Sequence, residues 1–134
     1  MLIPYKINQI KTQQFALFPE KFVNGNGVAV KADYEFKIHT DLCTVLCVSK
    51  FSYSQDDNLL LTTQIDCTFG VSQDGFQELQ QSRTIPAGFL QYLATISTGT
   101  ARGIIHTKTE GTVLNSVVLP PINLLEIIKD DLHF

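Results

Sequence analysis

The stretch VAVKADYEFKIHT at 28–40 alternates side-chain character almost without error, and this constrains the chain more than any other feature. Val28, Val30, Ala32, Tyr34, Phe36 and Ile38 fall on one face, and Lys31, Asp33, Glu35, Lys37 and His39 on the other. A period of two residues is that of a strand with one buried side. The next run, Leu42 to Tyr53, follows after Thr40-Asp41. That spacing fits a tight hairpin in which Ile38 faces Cys43, Phe36 faces Val45 and Tyr34 faces Cys47, although the dipeptide lacks the glycine usual in such turns. A third strand, LLLTTQIDCTFGV at 59–71, follows the turn signal SQDDN and puts Leu59, Leu61, Ile65, Cys67, Phe69 and Val71 on one side. Hairpin pairing then brings Cys43, Val45, Cys47 and Phe51 onto the face of Leu61, Ile65, Cys67 and Phe69. An earlier strand is expected between Tyr5 and Leu17; its apolar phase changes between Ile7 and Ile10 and resumes at Phe15, which marks a bulge. The connection PEKFVNGNG is rich in turn residues. The reading is an antiparallel sheet of about four strands with one face in need of cover.

The cover is expected from the C-terminal third. Residues 73–83, QDGFQELQQSR, read as polar and irregular. A helix follows, with Thr84 as cap, Pro86 in its first turn, and Phe89, Leu93, Ile96, Thr100 and Ile104 at helical spacing. Its middle is composed of small residues, Ser97, Thr98, Gly99, Thr100, Ala101 and Gly103, and each glycine in an exposed helix interior costs about 1 kcal/mol against alanine. Ser97, Gly99, Thr100 and Gly103 are therefore read as a contact surface for another helix; a break near Gly99 is the alternative. In VLPPINLLEII at 118–128, Asn123 is suited to cap a final helix, Glu126 to complete a capping box, and Ile122 with Ile127 to form a hydrophobic staple. Pro120 and Pro121 make the residues before it a stiff corner. Leu124, Ile127, Ile128 and Leu132 would dock, leaving Asp130 and Asp131 exposed in an unfavourable place near the helix end.

The chain has 134 residues, which fits a single domain spanning 1–134. With 44% hydrophobic and 17% charged residues it has the composition of a globular protein. The net charge of −3 comes from side chains scattered singly. No basic stripe offers the field a phosphate backbone needs, so nucleic acid is excluded as the expected partner. No run approaches the ~18 apolar residues of a spanning helix, and MLIPYKINQIK lacks the basic start and long apolar segment of a signal peptide; a cytoplasmic protein without membrane insertion is expected. Three cysteines, an odd number, point to reduced thiols.

Candidate chemistry is sparse. His39, Cys43 and Cys47 are evenly spaced, but four residues of strand span about 13 Å, too far to share a zinc ion or a disulfide. His106 and Glu110 lie four apart on the helix with no third ligand, and read as a solvated pair. No nucleophile elbow, phosphate loop, dinucleotide motif or carboxylate pair is present, so neither an enzyme nor a metal or cofactor is expected. On the outward face of the sheet, Leu42, Leu46, Val48 and Leu60 make a patch more apolar than a free face requires. It is either a partner surface or a central strand shielded by long charged neighbours.

ARGIIHTKTEGTVLNSVVLPPINL at 101–124 resembles the C-terminal part of the SecB family of export chaperones. In that family a long helix with Ala-Arg near its start leads through an extended segment to a Leu-x-Pro-hydrophobic-Asn junction before the last helix. Ala101-Arg102 and Leu119, Pro121, Ile122 and Asn123 match this pattern without a gap. The resemblance implies an α+β fold: a four-stranded antiparallel Greek-key sheet with one long and one short C-terminal helix packed on one face. It also implies a homo-oligomeric dimer of dimers assembled through those helices, and a holdase that binds non-native polypeptides in apolar grooves without ATP. By position, Phe76, Phe89, Tyr92, Leu119, Pro120, Pro121 and Ile122 are the expected peptide-binding residues. Two departures bear on a SecA-type motor as partner. Thr62 stands where the family's motor-docking face carries an acidic residue, and the chain stops at Phe134 without the family's tail. A SecB-like chaperone of a toxin–antitoxin pair fits the same residues as an export chaperone does, and an oligomeric scaffold without client binding is the reading from another class.

Overall fold

The computed structural model describes residues 3–134; Met1 and Leu2 of the expected 1–134 domain lie outside them. Four long strands, β1 (Tyr5–Leu17), β2 (Ala29–His39), β3 (Thr44–Gln55) and β4 (Asn58–Val71), form one antiparallel sheet in the order β1-β4-β3-β2. Three consecutive hairpin-linked strands with the remaining strand returned beside the far one make a Greek key. The alternation of 28–40 is borne out: in β2 every second residue from Val30 to Ile38 is half-buried and the residues between are exposed.

The hairpin between β2 and β3 differs from expectation by a shift of two residues. Ile38 pairs with Val45, Phe36 with Cys47 and Tyr34 with Ser49. The turn is longer than Thr40-Asp41 because Cys43 adopts a left-handed conformation, φ 51°, and joins it. A shift of two keeps every side chain on its face, which is why the core reading survives while the pairing does not. Between β3 and β4, Asp56 and Asp57 both have positive φ, 46° and 68°, and close a tight turn. In β1 the register shifts between Ile7 and Gln9, as the phase change implied, and again between Thr12 and Gln14. At the first shift the Asn8 amide lies where a Cβ on Gly70 would stand, 2.6 Å away, so glycine is what lets the bulge sit against β4.

Residues 73–83 are not irregular. Gln73–Ser82 is a helix, α1, whose N-cap Ser72 accepts from the Gly75 amide at 3.1 Å, and whose Phe76 and Leu79 are buried. Three buried residues on an otherwise polar helix leave little periodic signal. The long helix, α2, runs unbroken from Ala87 to Lys108. Pro86 rather than Thr84 precedes it, and Thr84-Ile85 forms a short strand, β5, paired with β6 (Leu132–His133).

α2 packs on β3 and β4 through Phe89, Leu90, Leu93, Ala94, Ser97, Thr98, Ala101 and Ile105. Beneath it lie Val45, Cys47, Phe51, Tyr53, Leu61, Ile65, Cys67 and Phe69, all at most 1% exposed. Ser97 is thus not on a free helix face; it is fully buried and its hydroxyl donates to the Leu93 carbonyl at 2.9 Å. Thr98 donates likewise to Ala94 at 2.7 Å and receives the Tyr34 hydroxyl. Small, self-satisfied side chains let the helix backbone lie close to the sheet.

The expected final helix is a short one: α3 (Leu124–Ile127) has four residues, and Asn123 makes no side-chain cap. The staple does not form, since Ile127 is 45% exposed while Ile122 packs against the core. The turn ends because the following residues serve elsewhere. The Asp131 carboxylate accepts from the Ala87 amide at 2.8 Å, capping α2 instead of burdening its own helix end. The Phe134 amide donates to the Arg83 carbonyl at 2.9 Å. Among the described residues no helix is long and apolar enough to cross a membrane.

Candidate functional site

The outward sheet face does not offer the expected patch. Val48 is 4% exposed, flanked in register by Glu35 and Asp66, and Leu46 is half-buried; this is the shielded central strand. Leu60 is fully buried where β4 shifts register against β3, and its carbonyl accepts from the Phe18 amide of the β1–β2 crossover. Gln55 fastens that crossover through Val23 and Asn26. Only Leu42, in the β2–β3 turn, is widely exposed.

The residues expected to bind peptide separate into two groups. Phe76, Phe89 and Leu119 are buried in the core, where Phe89 meets Tyr5 edge to face at 5.4 Å. They hold the fold and present no surface. Tyr92, at 68% exposure, Pro120 and Pro121 are exposed, and Ile122 is half-buried. Of these, Tyr92, Pro121 and Ile122 line a groove between α2 and the segment 119–128, which we term the strap.

Two connected depressions make up the groove. The larger, about 520 Å³, is lined by Gly88, Gln91, Tyr92 and Thr95 of α2 and by Ile122, Asn123, Leu124 and Leu125 of the strap. The smaller, about 210 Å³, continues past Thr95, Ile122 and Leu124 to Pro121, Thr98 and Arg102. Leu125 is 70% exposed on its rim. Sequence reasoning missed Leu125, Thr95 and Gly88. Its signal lay in the run INLLEII, which is apolar on more sides than a one-faced helix needs.

Polar contacts set the groove's width. Arg102 donates from Nε to the Leu119 carbonyl at 2.7 Å and from Nη2 to the Pro120 carbonyl at 3.0 Å. At the other end Gln91 Nε2 donates to the Ile128 carbonyl at 2.8 Å. The proline pair supplies no amide donors and a fixed φ, so carbonyls can be presented to Arg102 without competition from helical bonding. Between these points Pro121, Leu125 and Ile127 stand exposed.

On the remaining surface of α2, Gly99 and Gly103 are exposed and Thr100 is half-buried, with nothing within 4 Å of a Cβ placed on either glycine. The three cysteines are free: Cys47 and Cys67 are buried register partners and Cys43 is half-buried. Burial pushes both buried thiols up from their ordinary pKa, with Ser97 hydrogen bonding acting against the rise. Among the described residues no three potential ligands gather as a metal site.

A Greek-key sheet with helices on one face, a long C-terminal helix, and an Ala-Arg pair tied to a Leu-Pro-Pro corner define a SecB-like α+β fold. Among solved structures, a SecB-like chaperone of Mycobacterium tuberculosis in complex with a ChAD peptide from the HigA1 antitoxin is similar, with a TM-score of 0.50 and 10% identity, covering 88% of this chain and 90% of that one. No family model matches the chain, and no curated protein matches it by sequence.

Proposed function

We propose that this protein is a SecB-like, ATP-independent holdase that takes non-native polypeptide segments into the groove between α2 and the strap. The observation that carries the reading is the groove itself, with the exposed apolar side chains Tyr92 and Leu125 on its two sides and Ile122 and Leu124 along the strap wall. Large apolar side chains left in water beside a concave surface mark a place where a partner's apolar surface is buried. The fold likeness to a chaperone solved with an antitoxin peptide supports a client of the same kind over an exported precursor. Thr62, on the outer sheet face where the family's motor-docking acid would stand, points the same way. The reading includes no catalytic step and a cytoplasmic place of action. Stoichiometric suppression of the aggregation of a denatured client tests it. No suppression by an intact oligomer would sink it.

Assembly as a dimer of dimers belongs to the same reading, with Gly99, Thr100 and Gly103 in the helix–helix contact and Ser97 removed from it. Gly99→Leu should lower the oligomeric mass measured by light scattering while leaving the circular dichroism unchanged. An unaltered mass would show that this face is not the contact.

A further inference from the structure

We propose that the groove prefers polypeptide segments in which an acidic side chain adjoins a short apolar run, and that the Arg102 guanidinium reads the acid. The proposal rests on the holdase reading above and names the chemistry of its client. The two depressions share Thr95, Ile122 and Leu124, so one extended segment can occupy both. From Gly88 to Arg102 the helix advances about 21 Å at ~1.5 Å per residue. An extended chain at ~3.3 Å per residue covers that length with about six residues.

Of all the side chains lining the groove, only Arg102 is charged. Glu126, one residue beyond Leu125, lines neither depression. Arg102 is half-buried, and the strap carbonyls use its Nε–H and one Nη2–H. A guanidinium has five N–H donors, so three remain, on a fork already fixed in orientation. A fixed, partly desolvated cation without a lining carboxylate complements an anion, and the ordering cost of its side chain is already met by the strap. The apolar run is matched by Tyr92, Ile122 and Leu125 further along.

The test compares two short labelled peptides by fluorescence anisotropy, identical except for Glu against Gln beside a Val-Leu-Phe run. The Glu peptide should bind about ten-fold more tightly at low salt, with the ratio shrinking as salt is added. In Arg102→Gln the ratio should fall to about one. Since that variant also loosens the strap, Tyr92→Ala serves as the second arm, weakening both peptides while leaving their ratio intact. Equal affinities in the unaltered protein would overturn the acid preference, and a Glu preference that survives Arg102→Gln would overturn its assignment to Arg102; either result leaves the groove reading standing. Failure of both peptides to bind a folded protein would overturn the groove reading and the acid preference together.

Discussion

The helix α2 is held differently on its two sides. Against the sheet it buries a continuous stripe from Phe89 to Ile105, over side chains that water does not reach. On the strap side it makes polar contacts from Gln91 and Arg102, and the strap's Leu119, Leu124 and Ile128 are buried in the core, while Tyr92, Pro121 and Leu125 stand exposed around an open groove. Contiguous apolar burial scales with area and fixes one geometry, whereas single anchors alternating with exposed residues leave the stretches between them able to adjust. One helix can therefore belong to the rigid core and still form half of an adaptable surface. The boundary between the two falls between neighbouring residues, Tyr92 and Leu93.

That boundary can be tested by substituting each neighbour in turn. Leu93 is fully buried, so Leu93→Ala should lower the unfolding free energy by about 2–5 kcal/mol in urea titration. Tyr92→Ala, at an exposed position, should change stability by no more than about 0.5 kcal/mol while weakening client capture. If the two variants lose similar stability, the division of α2 into a sealed and an open side is wrong.

A smaller effect is expected on the strap side. Arg102→Ala removes two charge-assisted hydrogen bonds to strap carbonyls at a half-buried site, a loss of about 2 kcal/mol. Amide exchange should quicken across 122–128 and stay unchanged in β3. Uniform acceleration through β3 would mean that the strap is an integral part of the core.

The same division explains what the sequence made legible. The sheet could be read because the strands alternate strictly and a register error of two residues, as at Ile38 and Val45, leaves faces unchanged. The rigid corner at Pro120-Pro121 could be read because proline acts locally. Helix α1 was obscured because only Gly75, Phe76 and Leu79 of its ten residues are buried, although Ser72 three residues before Gly75 was a capping signal. β5 and β6 are two residues each, too short for any period to show. The last helix was overestimated because its apolar run carried no sign that Asp131 would be recruited to cap α2 and Leu132-His133 to pair with β5. The groove was half legible for a similar reason: Tyr92 and Ile122 are unusual in themselves, but Gly88, Thr95 and Arg102 become groove residues only when the strap lies across them.

Among the described residues the sealed side contains one buried side-chain polar atom without a partner, and removing it has a smaller effect than loosening the strap. The Tyr53 hydroxyl is buried with no hydrogen bond, and Tyr53 as a whole is 0% exposed. Its hydration is lost without replacement, so Tyr53→Phe should raise stability by about 1 kcal/mol near neutral pH. The same burial raises its pKa to about 12, with the Arg102 charge pulling the other way. The unfolded chain ionises near the ordinary tyrosine value of 10, before the folded one does. Folded protein then holds a proton that unfolded protein has released, and stability must fall as pH rises from about 10 to about 12. Tyr34, also raised by burial against its hydrogen bond to Thr98, contributes a loss of the same sign that persists in the variant. Urea midpoints at pH 8 and pH 11 should therefore converge in Tyr53→Phe relative to the unaltered protein without becoming equal. An unchanged gap between the two midpoints would mean that Tyr53 reaches water in solution, and that the sheet side of α2 is less closed than the strap side is open.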